Sequence, residues 1–142
     1  MPKRVREESA MKLRKPRIRV LVADDSRTAL SSVCRYLERD GRFEIVGTAF
    51  DGVRLLHQVN RSQPDLVLID LSMPQMNGLE ATTKLRSSFP ELRLLIFTGL
   101  QGLSLREECL RSGADGFIEK SQMPESLMQE IFRLFPDTRE LE

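Results

Sequence analysis

Five polar residues interrupt otherwise apolar stretches of this chain: Asp24 and Asp25, Asp70, Thr98 and Lys120. Their types suit one kind of chemistry. Three carboxylates brought within a few ångströms repel one another; at about 4 Å a like-charged pair costs about 4 kcal/mol at an effective dielectric near about 20. Protons or a cation must offset that cost. Carboxylate oxygens with room for water suit Mg²⁺, or Mn²⁺, hard ions that complete an octahedron with water and phosphate oxygens. Beside such an ion a carboxylate becomes a plausible nucleophile toward phosphorus. An ammonium and a hydroxyl, here Lys120 and Thr98, can then bind the remaining phosphoryl oxygens, and phosphoryl transfer needs little more than positioning and charge stabilisation.

Each residue also has an ordinary structural reading. Asp24, Asp25 and Ser26 could cap a helix, since Asp and Ser are favoured there. Asp70 could end a turn, Thr98 could sit in a loop and Lys120 could be a solvated charge. Singly these readings weigh as much as the chemical one. Together, at the ends of four apolar runs, they would have to coincide.

The elements that position these residues follow from hydrophobic periodicity. Ile18 to Ala23 reads as a strand, Leu30, Val33, Cys34 and Leu37 as one face of a helix, and Gly41 as its stop. Phe43 to Phe50 reads as a less apolar strand near a sheet edge. Val53, Leu56 and Val59 mark a short second helix. Leu66 to Ile69 is wholly apolar, as expected of a strand covered on both faces. Met76-Asn77-Gly78 leads into a helix over Leu79 to Ser87, followed by a strand over Leu92 to Phe97. A weaker helix spans Ser104 to Arg111. Gly113 and Gly116 bracket a turn before the short strand Phe117-Ile118, and Leu127 to Phe135 forms an amphipathic helix stopped by Pro136. Five βα units argue for a parallel sheet with helices on both faces. The commonest arrangement of five is the doubly wound, flavodoxin-like order 2-1-3-4-5, whose ligands bind beyond the carboxyl ends of the strands. The five polar residues all stand on that edge.

Bulk properties exclude other classes. A chain of 142 residues with formal net charge +1 is one domain's length and not built as a whole to bind nucleic acid. No apolar run is long enough for a membrane span. Cys34 and Cys109 lack metal-ligand spacing and read as small apolar residues with free thiols, which suits a reducing cytoplasm. Residues 1–16 are rich in Lys and Arg and read as a disordered lead-in. The domain proper is expected over 17–136, with a short tail at 137–142. His57, the one histidine, reads as an ordinary surface or half-buried residue.

Four segments together resemble the receiver domains of two-component response regulators: Val22-Ala23-Asp24-Asp25-Ser26, Pro64 through Asp70 to Gly78, Ile96-Phe97-Thr98-Gly99, and Gly113 to Lys120. The chain style is similar to the NarL/FixJ branch. The resemblance implies that Asp70 is the phosphoacceptor, charged from a phosphohistidine on a sensor histidine kinase or a histidine phosphotransfer protein. Asp25, Asp70 and the Ser72 backbone carbonyl would bind the metal, with Asp24 acting through water. Thr98 and Lys120 would contact the phosphoryl group. Phe117 would be the aromatic that turns inward once Thr98 moves, and Pro74 and Gly78 would shape the loop after Asp70. The output face would be formed by the fourth helix, fifth strand and fifth helix, binding a protein target or a second copy.

Three positions depart from the family pattern. Ser121 follows Lys120 where many receivers carry proline. Phe117 has no hydroxyl. Leu100 is apolar where some receivers place a polar group that assists hydrolysis. The branch usually carries a DNA-binding output domain, so a stand-alone receiver and the receiver of a longer transcriptional regulator are both compatible with the sequence. A phosphatase with an aspartyl-phosphate intermediate would want an acid two residues past the nucleophile, and that position is Ser72. A flavin carrier would want a hydroxyl- and glycine-rich loop where Asp24-Asp25-Ser26-Arg27 stands. A receiver that signals without phosphorylation would not need the full acceptor set.

Overall fold

The strands are where apolar and β-branched residues run unbroken. Leu66–Ile69 (β3) is completely buried, and β1 (Ile18–Ala23) and β4 (Arg93–Thr98) each have one residue outside the core. With β2 (Phe43–Ala49) and β5 (Gly116–Glu119) they form one parallel sheet in the order β2-β1-β3-β4-β5. The coordinates are a computed structural model describing residues 17–137. The fold is the flavodoxin-like arrangement expected from the five βα units. The basic lead-in at 1–16 and most of the tail lie outside the described residues.

Side chains alternate between the two faces of a strand, and each face carries its own core. Val20, Val22, Leu66, Leu68, Leu95, Phe97 and Ile118 meet helix α1 (Arg27–Glu38) and helix α5 (Glu125–Leu134). Leu21, Ala23, Val67, Ile69, Leu94 and Ile96 meet α2 (Gly52–Ser62), α3 (Gly78–Ser88) and α4 (Leu103–Arg111). Fully burying one such Leu or Ile contributes roughly 1.5–3 kcal/mol, so register is pinned on both faces.

The starts of the first three helices are set by capping side chains. The Ser26 hydroxyl accepts from the Ala29 N–H, Asp51 from Arg54 and Asn77 from Glu80. Gly41 is not the stop of α1. That helix ends at Arg39 in ordinary right-handed geometry, and no left-handed residue is needed there. In α2 the inward residues are Gly52, Leu55 and Val59; Val53 is exposed. Apolar residues at 53, 55, 56 and 59 fit two overlapping stripes, and the core takes Leu55 and Val59 with Leu56 at its margin, leaving Val53 outside. His57 is exposed on the same helix. Both cysteines are free and lie in helices, Cys34 half-buried and Cys109 buried. Burial, with Glu38 beside one and Glu108 beside the other, pushes both thiols above the usual cysteine range, as befits inert packing residues.

Candidate functional site

The carboxyl ends of β1 and β3 are stitched together by the main chain. The Asp70 N–H donates to the Ala23 carbonyl at 2.9 Å, and the Asp24 N–H donates to Ala49 on β2 at 3.0 Å. These bonds hold the two aspartates side by side. Asp24 is 0% and Asp70 4% exposed, whereas Asp25 stands exposed at the mouth. Each of the three offers a carboxylate oxygen within 4.8 Å of the others. Ser26, not either aspartate, caps α1.

Lys120 enters from the far side of the sheet, at the turn that follows β5. Its Nζ donates to Asp24 Oδ2 at 2.8 Å, lies 3.5 Å from Asp70 Oδ1 and sits 5.0 Å from the centroid of the Phe97 ring. Asp24 Oδ1 accepts the Ser26 N–H at 2.9 Å, so both oxygens of Asp24 already have protein donors. That suits an indirect role toward a metal and leaves Asp25 and Asp70 as the direct candidates.

Burial, followed by the charge of Asp24, pushes the Asp70 carboxyl up to about 6, while Lys120 pulls the other way. Burial disfavours the charged form of Lys120, but the hydrogen bond to Asp24 and the charge of Asp70 outweigh it and hold the amine above the usual lysine range. One ammonium therefore faces three carboxylates. The donor set, all oxygen with one exposed acid at the rim, fits a small hard dication.

Thr98 ends β4 beside Glu119 of β5, and it is buried. Its hydroxyl accepts the Leu100 N–H at 3.1 Å and so points into its own loop. Phe117 pairs with Ile96 and is 6% exposed; the ring is already inward here, packed in the core on the α2–α4 face. Ser72 is exposed two residues past Asp70. The structure therefore brings Asp24, Asp25, Asp70 and Lys120 into one cluster, with Thr98 and Ser72 on the same sheet edge and Phe117 below it.

The loop after Asp70 is clamped by two glycines. A Cβ on Gly78 would lie 2.3 Å from the Asp70 carbonyl oxygen, and one on Gly52 would lie 2.3 Å from that of Met76. The Gly78 N–H donates to Leu71 and the Gly52 N–H to Met76, both at 3.0 Å. Gly78 is expected from the sequence. Gly52 is not, although Asp51-Gly52 directly after a strand was a signal for a capped, close-packed helix start.

The family model for the response regulator receiver domain matches residues 20–132. The chain belongs to that family. This receiver is 36% identical over 115 residues to the oxygen regulatory protein NreC of Staphylococcus aureus, covering 80% of this chain and 53% of that protein. It is 34% identical over 110 residues to a protein-glutamate methylesterase/protein-glutamine glutaminase of Clostridium acetobutylicum, covering 76% of this chain and 32% of the relative. The receiver thus spans about half the length of one relative and a third of the other. Among solved structures it is similar to a LuxR-family two-component response regulator from Aurantimonas sp. SI85-9A1, with TM-score 0.80, 30% identity and coverage of 84% and 86% of the two chains. It is also similar to the signal receiver domain of the response regulator NarL from Mycobacterium tuberculosis, with TM-score 0.77, 26% identity and coverage of 88% and 98%. The receiver is CheY-like and of the NarL/LuxR type. Among the described residues no helix is long and apolar enough to cross a membrane.

Proposed function

We propose that this receiver is a cytoplasmic signalling switch that takes a phosphoryl group onto Asp70 from a phosphohistidine of a sensor histidine kinase or histidine phosphotransfer protein. The observation that carries this reading is the nearly buried Asp70 carboxylate set against Asp24, Asp25 and Lys120. An Asp70 oxygen attacks phosphorus, the P–O bond forms as the P–N bond breaks, and the imidazole leaves with the electron pair. Asp25 and Asp70, with the Ser72 carbonyl, would hold Mg²⁺ or Mn²⁺, and Asp24 would act through a water. The bound dication supplies charge screening between carboxylate and phosphoryl group. Lys120, tethered to Asp24 at 2.8 Å, would pair with the phosphoryl oxygens.

The added charge of about −1.5 to −2 competes with Asp24 for Lys120. It also attracts the Thr98 hydroxyl away from the Leu100 N–H. Both shifts transmit to β5 and the β4–α4 loop. That loop and α4 carry exposed apolar residues, Leu100, Leu103 and Leu110, a surface suited to a protein target or a second copy. Turnover of free substrates is not part of this reading. The chain modifies itself and loses the group slowly.

The test is intact-mass measurement after incubation with Mg²⁺ and acetyl phosphate. Wild type should gain one phosphoryl group and Asp70→Asn none. A gain that survives in Asp70→Asn, or that forms equally well in chelator, overturns the assignment. Gel filtration of the same samples reports any change in self-association.

A further inference from the structure

Beside the sheet edge formed by β2, helix α2 presents two arginines and a histidine that the acceptor site does not use. Arg54, His57 and Arg61 fall on one face of α2, three and four residues apart. They border a depression of about 370 Å³ whose other walls are Thr48, Phe50, Val53 and Gln58. Arg27, from α1, stacks its guanidinium 5.3 Å from the Phe50 ring, so a third arginine reaches the same side. Of the nearby acids, Asp51 is occupied as the cap of α2 and lies 3.6 Å from Arg54, and Glu44 stands exposed near the start of β2, at the other end of the strand from Phe50. Among the described residues neither His57 nor Arg61 has an ion-pair partner.

Beside this row lies an open strand edge. β2 ends the sheet and pairs only with β1 among the described residues. The strand carries a bulge at Val46, next to Gly47, where its register on β1 shifts. Unpaired edge N–H and C=O groups accept an added strand. From Arg54 to Arg61 the stripe runs about 10 Å along the helix, the reach of about three extended residues. Val53, 44% exposed, and Phe50 give an apolar floor between strand and cations.

We propose that the α2–β2 edge docks an extended, acidic segment of a partner protein that also carries an apolar residue. The segment would lie along β2, with its carboxylates toward Arg54, His57 and Arg61 and its apolar side chain on Phe50 and Val53. A linear row of charges beside an open strand fits a peptide better than a compact phosphate, which favours a cradle of backbone N–H groups. The site is separate from Asp70 and does not depend on the phosphoryl reading.

The probe is a fluorescein-labelled peptide, Glu-Val-Glu-Val-Glu-Phe, titrated with full-length protein at low salt and followed by anisotropy. Arg54→Glu/Arg61→Glu should weaken binding about tenfold, as expected for loss and reversal of two exposed pairs. The control Arg106→Glu/Arg111→Glu makes the same charge change on α4 and should alter binding less than about twofold. Amide resonances of residues 44–50 should shift on titration. Equal weakening by both double variants, shifts confined to other elements, displacement by inorganic phosphate or ATP at equal concentration, or no binding by wild type would each overturn the proposal. His57→Glu, a single exposed change, should weaken binding in the same direction and guards against misfolding of the double variant. Normal melting curves confirm that all variants are folded.

Discussion

The two ends of the sheet handle charge in opposite ways. At the amino end Arg86, on α3, donates Nε to the Gly113 carbonyl at 2.9 Å and its terminal nitrogens to Pro90 at 2.8 Å, Leu92 at 2.7 Å and Asp115 Oδ2 at 2.6 Å. Asp115 Oδ2 also accepts the Leu94 N–H, and Arg133 donates to the Asp115 carbonyl. Position 113 requires glycine twice over: φ is +116, and a Cβ there would lie 2.7 Å from the Arg86 Cβ. Donors and acceptors are matched. At the carboxyl end three acids share one ammonium, and the buried acceptor carboxyl holds its proton to about 6. Matched charge buttresses the fold, while unmatched charge at the other end leaves a standing demand for a cation and for a change of state.

The sharpest way to break this comparison is to remove one member from each end. Arg86→Ala takes one of two arginines from the Asp115 carboxylate and the side-chain donor from three carbonyls, and should cost about 3 kcal/mol. Urea unfolding reads this as a lower midpoint with an unchanged slope. Asp70→Asn, in metal-free protein at neutral pH, removes an unfavourable buried charge and should raise the midpoint. A loss below about 1 kcal/mol for Arg86→Ala, or destabilisation by Asp70→Asn, would erase the contrast.

Titration sharpens the same point. The Asp70 pKa lies at about 6 in the fold against 3.8 ordinarily. Between those values the folded state binds a proton that the unfolded state has released. Stability therefore falls as pH rises through this window, by roughly 3 kcal/mol in metal-free protein. Asp40, in the turn before β2, behaves oppositely. Hydrogen bonds from Arg42 lower its pKa, so its contribution is present above the usual carboxylate range and lost as pH falls through the lowered value. Subtracting the Asp70→Asn curve from wild type isolates the Asp70 share. Mg²⁺ at about ten times its dissociation constant should return about 1.4 kcal/mol to wild type at neutral pH, and less to Asp70→Asn. A flat difference curve would show that the carboxyl-end charge is solvated after all.

What the sequence disclosed differs between the ends for the same reason. Acids, a hydroxyl and a lysine that stop apolar runs are visible because each is an exception within its own strand: Asp70 follows four buried residues without a break. Strand order then brings the exceptions together. The Arg86 hub has no such local mark. An arginine near the end of a helix reads as a solvated charge, and only the convergence of the α3, β4 and α4–β5 segments reveals its partners. Gly52 was equally silent, because its reason is the carbonyl of Met76 in a different loop. The misplaced stop at Gly41 and the inward assignment of Val53 in α2 arose where periodicity alone allowed two answers.

The smallest expected effect concerns how long the carboxyl end stays changed. Leu100 is 51% exposed, and its N–H is held by the Thr98 hydroxyl at 3.1 Å. The residue thus lies open to solvent on the loop that Thr98 anchors, at the same sheet edge as Asp70. An apolar group there offers no base to a water approaching phosphorus. A carboxylate could orient and deprotonate that water. Leu100→Glu should therefore shorten the life of phosphorylated Asp70 severalfold, measured by loss of the added mass after acetyl phosphate is removed, with the uptake rate little changed. An unaltered lifetime would mean that access of water is limited elsewhere, at Asp25 and the loop after Asp70, and that the exposed leucine belongs wholly to the output face of α4.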